Sequence, residues 1–177
     1  MSRIVPGRMT HRHDGELVVF HIGMQINSWW RPDLWLPVFL EMPKMLRELS
    51  TAPDSGLLGY ELLFGAGGPW VVQYWSSAEK LYAYASDPSA EHRPAWSRFN
   101  RLARKAPGAV GIWHETYLVE RAESMFVSTR PMGLAKATEL VPVERRHDRA
   151  RARFADGRTA GEPASAPVGS DAAAVSG

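Results

Sequence analysis

The chain has 177 residues, 45% of them hydrophobic, 23% charged and 10% aromatic, and it contains no cysteine. This suits one domain with a true core plus a tail, and it excludes a wholly disordered or collagen-like chain. It also excludes disulfides, thiolate nucleophiles, Cys-type zinc sites and Cys-ligated iron–sulfur clusters. The formal charge is only +2, and the excess is local: residues 141–158 hold six arginines against Glu144, Asp148 and Asp156. No basic face runs along the domain, so nucleic acid is not an expected partner.

The opening MSRIVPGRMTHRHDGE lacks the apolar segment of a signal peptide, and residues 1–15 read as a polar arm. No apolar run approaches the roughly 18 residues of a membrane-spanning helix. A cytoplasmic protein, with no membrane contact, is the expectation.

Glu16–Asn27, rich in Val, Ile and Phe, reads as a first strand. Pro32 and Asp33 open a helical stretch from Leu34 to about Ser50. Leu34, Val38, Met42, Met45 and Leu49 form its stripe, and Pro37 and Pro43 predict a kink or break. Leu57–Gly65 is a second strand, Ala66–Gly68 a hairpin turn and Pro69–Trp75 a third strand. Ser76 with Glu79 three residues on predicts a helix start. Asp87-Pro88 interrupts that helix, and a further run from His92 to Arg104 resumes it. Ala109–Glu120 is a fourth strand, Ser124–Thr129 a candidate fifth, and a short helix is expected around Leu134–Leu140.

The core order is therefore β-α-β-β-α-β, the ferredoxin-like arrangement of an antiparallel sheet covered by two helices on one face. The domain is placed at 16–150. Residues 151–177 are assigned to a disordered tail, since the last 23 residues hold sixteen Ala, Gly, Ser or Pro. The fourth strand is apolar on both sides, with Val110, Ile112 and Leu118 on one and Trp113, Tyr117 and Val119 on the other. A sheet covered on one face only and apolar on both predicts a homodimer.

No phosphate loop, dinucleotide fingerprint, zinc-protease or nucleophile-elbow motif occurs. The chemistry must come from sparse polar residues in an aromatic setting. His92, after the Asp87-Pro88 break, is placed either to face the cleft between helix and sheet, as base or ligand, or to cap backbone at the surface. His114, in phase with Ile112 and Thr116, is either a site residue or a core histidine bonded to Glu61 or Tyr60. Asn27 either lines a pocket mouth or turns the chain. Gly23 leaves room for another group on the His21 side of the first strand. Tyr74, Tyr84 and Trp96 are either core or the walls of an aromatic-lined cavity.

The strings FHIGMQIN, RPDLWLPVF, MPKMLREL, GLLGYELLFG, VQYWSS, AYASDPSAEHRPAW and GIWHETYLV resemble a family first catalogued as a domain of unknown function. That family is grouped with a monooxygenase-like protein of the fumagillin biosynthetic cluster. The resemblance runs from about Pro6 to about Arg149. It implies a dimeric α/β barrel, the fold of antibiotic-biosynthesis monooxygenases. Some proteins of that fold oxidise polycyclic aromatic substrates without a cofactor, whereas others bind haem. In haem-degrading members the proximal histidine follows a short Ser-Asp element on the second helix, which Ser86, Asp87 and His92 resemble. Those enzymes also use an asparagine on the first strand and a tryptophan before the histidine, near the places of Asn27 and of Tyr82 or Tyr84.

The expectation is a homodimeric monooxygenase-like oxidoreductase of secondary metabolism acting on a hydrophobic small molecule, with no cofactor. His92 would be its catalytic residue, and Asn27, His114, Tyr74, Tyr84 and Trp96 would surround the ligand. A haem-binding oxidase or dehydratase, with His92 on the iron, is one alternative. A non-catalytic ligand-binding dimer is another.

Overall fold

The computed structural model describes residues 3–156. Its main sheet is built from β2 (Val18–Ile26), β3 (Leu57–Gly65), β4 (Gly68–Trp75) and β5 (Val110–Leu118). They lie in the order β3-β4-β2-β5 with every neighbour antiparallel. This is the ferredoxin-like α+β topology. The sheet of one chain is open, with β3 and β5 as its edges.

The prolines break the first helical stretch once. The helix α1 (Pro32–Phe39) stops at Leu40, and α2 (Glu41–Thr51) begins directly after it. Pro43 falls in the first turn of α2, where its missing N–H costs no helical bond. The second stretch is also split. Helix α3 (Ala78–Ser86) ends before Asp87-Pro88, and α4 (His92–Lys105) follows. The α3 cap is Ser77, whose side chain accepts the Lys80 N–H at 3.1 Å, one residue beyond the Ser76 expected from the capping-box spacing. The turn at Ala66-Gly67 joins Gly65 to its partner Gly68, whose φ of 137° only glycine adopts readily.

Side chains alternate across the strands. Val18, Phe20 and Ile22 point to the helices with Trp75, Gln73 and Val71 of β4, to which they are registered, and Met24 continues the same side of β2. The densest packing joins Val18, Trp75, Leu49 of α2 and Leu81 of α3, all at most 4% exposed. Trp75 is fully buried, and its indole N–H donates to the buried Gln73 Oε1 at 3.0 Å. The polar group of the largest core side chain is thus satisfied locally.

The other face is partly covered. The short helix α5 (Leu134–Ala137) lies against β3, close enough that a Cβ on Gly59 would come within 3.1 Å of Ala137. Gly133 N–H donates to Glu61 Oε1 at 3.0 Å, and Lys136 Nζ to Tyr60 O at 2.7 Å. Farther along, Trp70 and Trp113 meet edge to face with ring centres 5.6 Å apart. Tyr117 and His21 meet similarly at 5.5 Å.

A second, three-stranded sheet was not foreseen. The strand β1 (Val5–Arg12) lies between β6 (Phe126–Thr129) and β7 (Glu139–Pro142). The arm is therefore a central strand, and the helix expected around Leu134–Leu140 ends at Ala137 because Glu139–Pro142 pairs with Met9–Arg12. Residues 150–156, reaching into the segment assigned to the tail, form helix α6. Within it Arg153 is 9% exposed and donates to Glu123 and to the carbonyls of His147 and Asp148. Residues 157–177, the rest of the assigned tail, lie outside the described residues.

The space left by Gly23 is filled by Trp113: a Cβ there would collide with the indole of the neighbouring strand. Gly23→Ala should therefore destabilise the chain by about 1–3 kcal/mol, the usual cost of overpacking, although Gly→Ala in an ordinary strand interior is favourable. A urea denaturation midpoint equal to or above that of the parent protein would show that the indole yields freely.

Candidate functional site

Helix α4 decides where the site lies. It has no fully buried residue. Its C-terminal half lies beside α1, where Phe99, Leu102 and Ala106 line a small crevice with Leu34, Val38 and Val110 of β5. Its N-terminal half stands clear of β5. The gap is a cavity of about 430 Å³, within the usual range of small-molecule sites.

Phe20, Ile22, Met24, Ile112, His114 and Thr116 of the sheet form its floor. Phe39, Met42, Met45 and Leu46 form one wall, with the buried Glu41. Leu81, Tyr82, Ala85, His92, Ala95 and Trp96 form the other, and Leu62 and Pro69 close one end. Tyr82 and Trp96 are about half exposed, and His114 and Thr116 lie on the exposed half of the edge strand β5, so the cavity opens on that side.

His92 is the first residue of α4. Its Nδ1 is buried without a hydrogen-bond partner, and its ring lies 6.1 Å from that of Tyr84. Tyr84 in turn donates to Glu48 Oε2 at 2.9 Å, and the same oxygen accepts the Glu91 N–H at 3.1 Å. One carboxylate of α2 thereby fixes the tyrosine behind His92 and the backbone just before it. Burial, reinforced by the Arg93 charge and opposed by Asp87 and Glu48, holds the His92 imidazole below the usual histidine value. It is a neutral base near pH 7. Burial also pushes the Tyr84 phenol up, with help from its bond to Glu48, so it remains a donor.

The six residues singled out by sequence separate into three groups. His92, His114 and Trp96 line the cavity together. Tyr84 stands behind His92. Asn27 and Tyr74 lie elsewhere: Asn27 Nδ2 donates to Gly108 O at 2.8 Å, tying the end of β2 to the loop before β5. Tyr74 occupies the opposite face of the sheet, beside Gly133 and near Glu61. His114 is bonded to neither Glu61 nor Tyr60. It packs against Phe20 at 5.7 Å, while Glu61 is engaged by Gly133 on the other face. Sequence reasoning missed Glu41 and Glu48. Their only signal is a carboxylate set beside the apolar stripe of a helix.

Among the described residues nothing pairs with the enclosed Nδ1 of His92, and the ring keeps both roles that the sequence gives it, base or haem ligand.

His11 is likewise held below its usual value, first by burial and then by the charge of His13. The unfolded chain takes up protons near pH 6.5 that the folded chain refuses. The contribution of both histidines is thus complete above about pH 7 and lost as the pH falls through 6.5 toward the lower folded values. His92→Gln should flatten the dependence of the denaturation midpoint on pH between about 7 and 5. An unaltered slope would place His92 in a solvent-like environment.

The family model described as "Monooxygenase af470-like" matches residues 17–134, from the first strand of the main sheet to the start of α5. A curated relative, Monooxygenase af470 of Aspergillus fumigatus, is 29% identical over 167 residues, covering 81% of this chain and 55% of its own length. The chain thus spans about half the length of that relative. Among solved structures, an aldoxime dehydratase has a TM-score of 0.56 at 17% identity, covering 90% of this chain and 48% of its own, a likeness of fold. SnoaB, a cofactor-independent oxygenase of Streptomyces nogalater, has a TM-score of 0.44 at 10% identity, covering 61% of this chain and 97% of its own. With the matched segment comprising the whole main sheet and every cavity wall, the chain belongs to the monooxygenase af470-like family.

Proposed function

We propose that the protein is a monooxygenase-like enzyme that oxidises an apolar small molecule of secondary metabolism in the cavity under α4, using molecular oxygen and no bound cofactor. The observation that carries this reading is His92: a neutral, unbonded imidazole in the wall of an otherwise apolar cavity. Its Nε2, the ring nitrogen that is not enclosed, accepts a proton from an activated C–H or phenol of the substrate. The carbanion passes electrons to O₂ and combines with it as a peroxide. Loss of water, with the proton returned from His92, leaves a carbonyl. The balance is a CH₂ group plus O₂ giving C=O plus H₂O. His114 and Thr116 place hydrogen-bonding groups across the floor, and Trp96 supplies a flat wall at the mouth.

Oxygen uptake with an anthrone or a related polycyclic phenol tests the reading. The wild-type protein should consume O₂ and yield a product containing one atom from labelled O₂. His92→Gln keeps hydrogen-bonding capacity but cannot take a proton near neutrality. It should lower the rate by about 100-fold or more, while stability changes by no more than about 1 kcal/mol. Tight binding with no oxygen uptake would leave a ligand-binding module instead.

The second face of the sheet supports a homodimer. Trp70 and Leu63, paired across β4 and β3, and Tyr117 of β5 are 40%, 39% and 48% exposed there in the single chain, and exposed large apolar side chains on one sheet face are of the kind that marks an interface. Light scattering at micromolar concentration should give about twice the 19.7 kDa chain mass. A monomer would remove this part of the proposal.

A further inference from the structure

Glu41 is 4% exposed, yet it lines the cavity. Its carboxylate receives Lys44 Nζ at 3.2 Å from the next turn of α2 and Arg98 Nε at 3.1 Å from α4. No lysine or arginine is among the described residues that line the cavity, and these two cations at its wall are committed to Glu41. The remaining ionisable lining groups are His92, His114 and Tyr82. A buried ionised group without a counter-charge is disfavoured by several kcal/mol in general terms, and here a ligand anion would also meet the negative end of an existing pair.

We propose that Glu41 makes the cavity selective for uncharged ligands: its carboxylate faces the ligand from the lining, whereas Lys44 and Arg98, about half exposed, are drawn to it from outside the wall rather than toward a carboxylate, sulfonate or phosphate in the cavity. This rests on the reading of the cavity as the ligand site. It narrows the substrate class to neutral, largely apolar molecules whose polar atoms are hydroxyl or carbonyl groups.

The test uses two probes of the same ring, 1-naphthol and 1-naphthoate, titrated calorimetrically into the full chain at pH 7. Naphthol should bind about tenfold or more tightly than naphthoate, equivalent to about 1.4 kcal/mol. Glu41→Gln frees Arg98 and Lys44. It should raise naphthoate affinity about tenfold while moving naphthol by less than about threefold. Glu41→Leu serves the same comparison if the amide fails to fold, because Lys44 and Arg98 are about half exposed and are solvated once the carboxylate is gone. Equal or tighter naphthoate binding by the wild-type chain overturns the proposal, as does a probe ratio unchanged in the Glu41 variant. Because binding is read without turnover, either result leaves the oxygenase reading standing. If neither probe binds, the ligand-site reading falls and takes this proposal with it.

Discussion

The sheet must cover its apolar helix-facing side, and α4 covers its share only indirectly. Ferredoxin-like helices ordinarily pack flat on the strands. Here α4 has an apolar side, with Ala95, Trp96, Phe99 and Leu102, yet buries no residue fully. It rests on α1 at one end and is anchored at the other through Glu48 and the Glu91 backbone. The core is therefore dense where α2 and α3 meet Val18 and Trp75, and hollow where α4 should have met β5. The cavity and the placement of His92 at its wall both follow from this division of labour.

Much of this was legible in the sequence because its signals are local. Asp87-Pro88 breaks a helix wherever it falls, so the start of α4 and the exposed turn before His92 could be read directly. The prolines of the first helical stretch, the Gly-rich hairpin and the β-branched strands are signals of the same kind. The second sheet was not legible, because β1 is polar and its partners lie more than a hundred residues away. Nothing within Val5–Arg12 distinguishes a central strand from an arm until Phe126–Thr129 and Glu139–Pro142 pair with it.

The site was legible in part, for a related reason. Alternation correctly separates Trp70 and Tyr74 from Gln73 and Trp75, but both sets are aromatic, so alternation alone does not say which set meets the helices. The register with β2 decides it, and Tyr74 goes to the far face. Asn27 is one residue past the end of β2, where its side chain serves the backbone of the next loop. Glu41 and Glu48 look in sequence like the solvated side of an amphipathic helix. Their meaning depends on Arg98, Tyr84 and Glu91, all of which come from the other helical stretch.

These two carboxylates, one turn pair apart on α2, act on the cavity in opposite ways. Glu41 draws Lys44 and Arg98 to itself and away from the cavity lining. Glu48 supplies charge behind it, held off the cavity by Tyr84. In the proposed reaction the base begins neutral, as burial requires, and becomes an imidazolium only while it carries the substrate proton. The groups whose charge opposes the depression of the His92 value are Asp87 and Glu48, and those same charges favour the transient cation. Asp87 is itself held below the usual carboxylate range by its bonds to Ser89, so it remains ionised when that cation forms. Molecular oxygen is neutral and apolar, and a chamber lined by Phe20, Ile22, Met42 and Ile112 admits it without desolvation cost. A reaction that starts from neutral partners and passes through a brief ion pair is best served by an apolar chamber with its charges set just outside the wall, and α2 provides that arrangement.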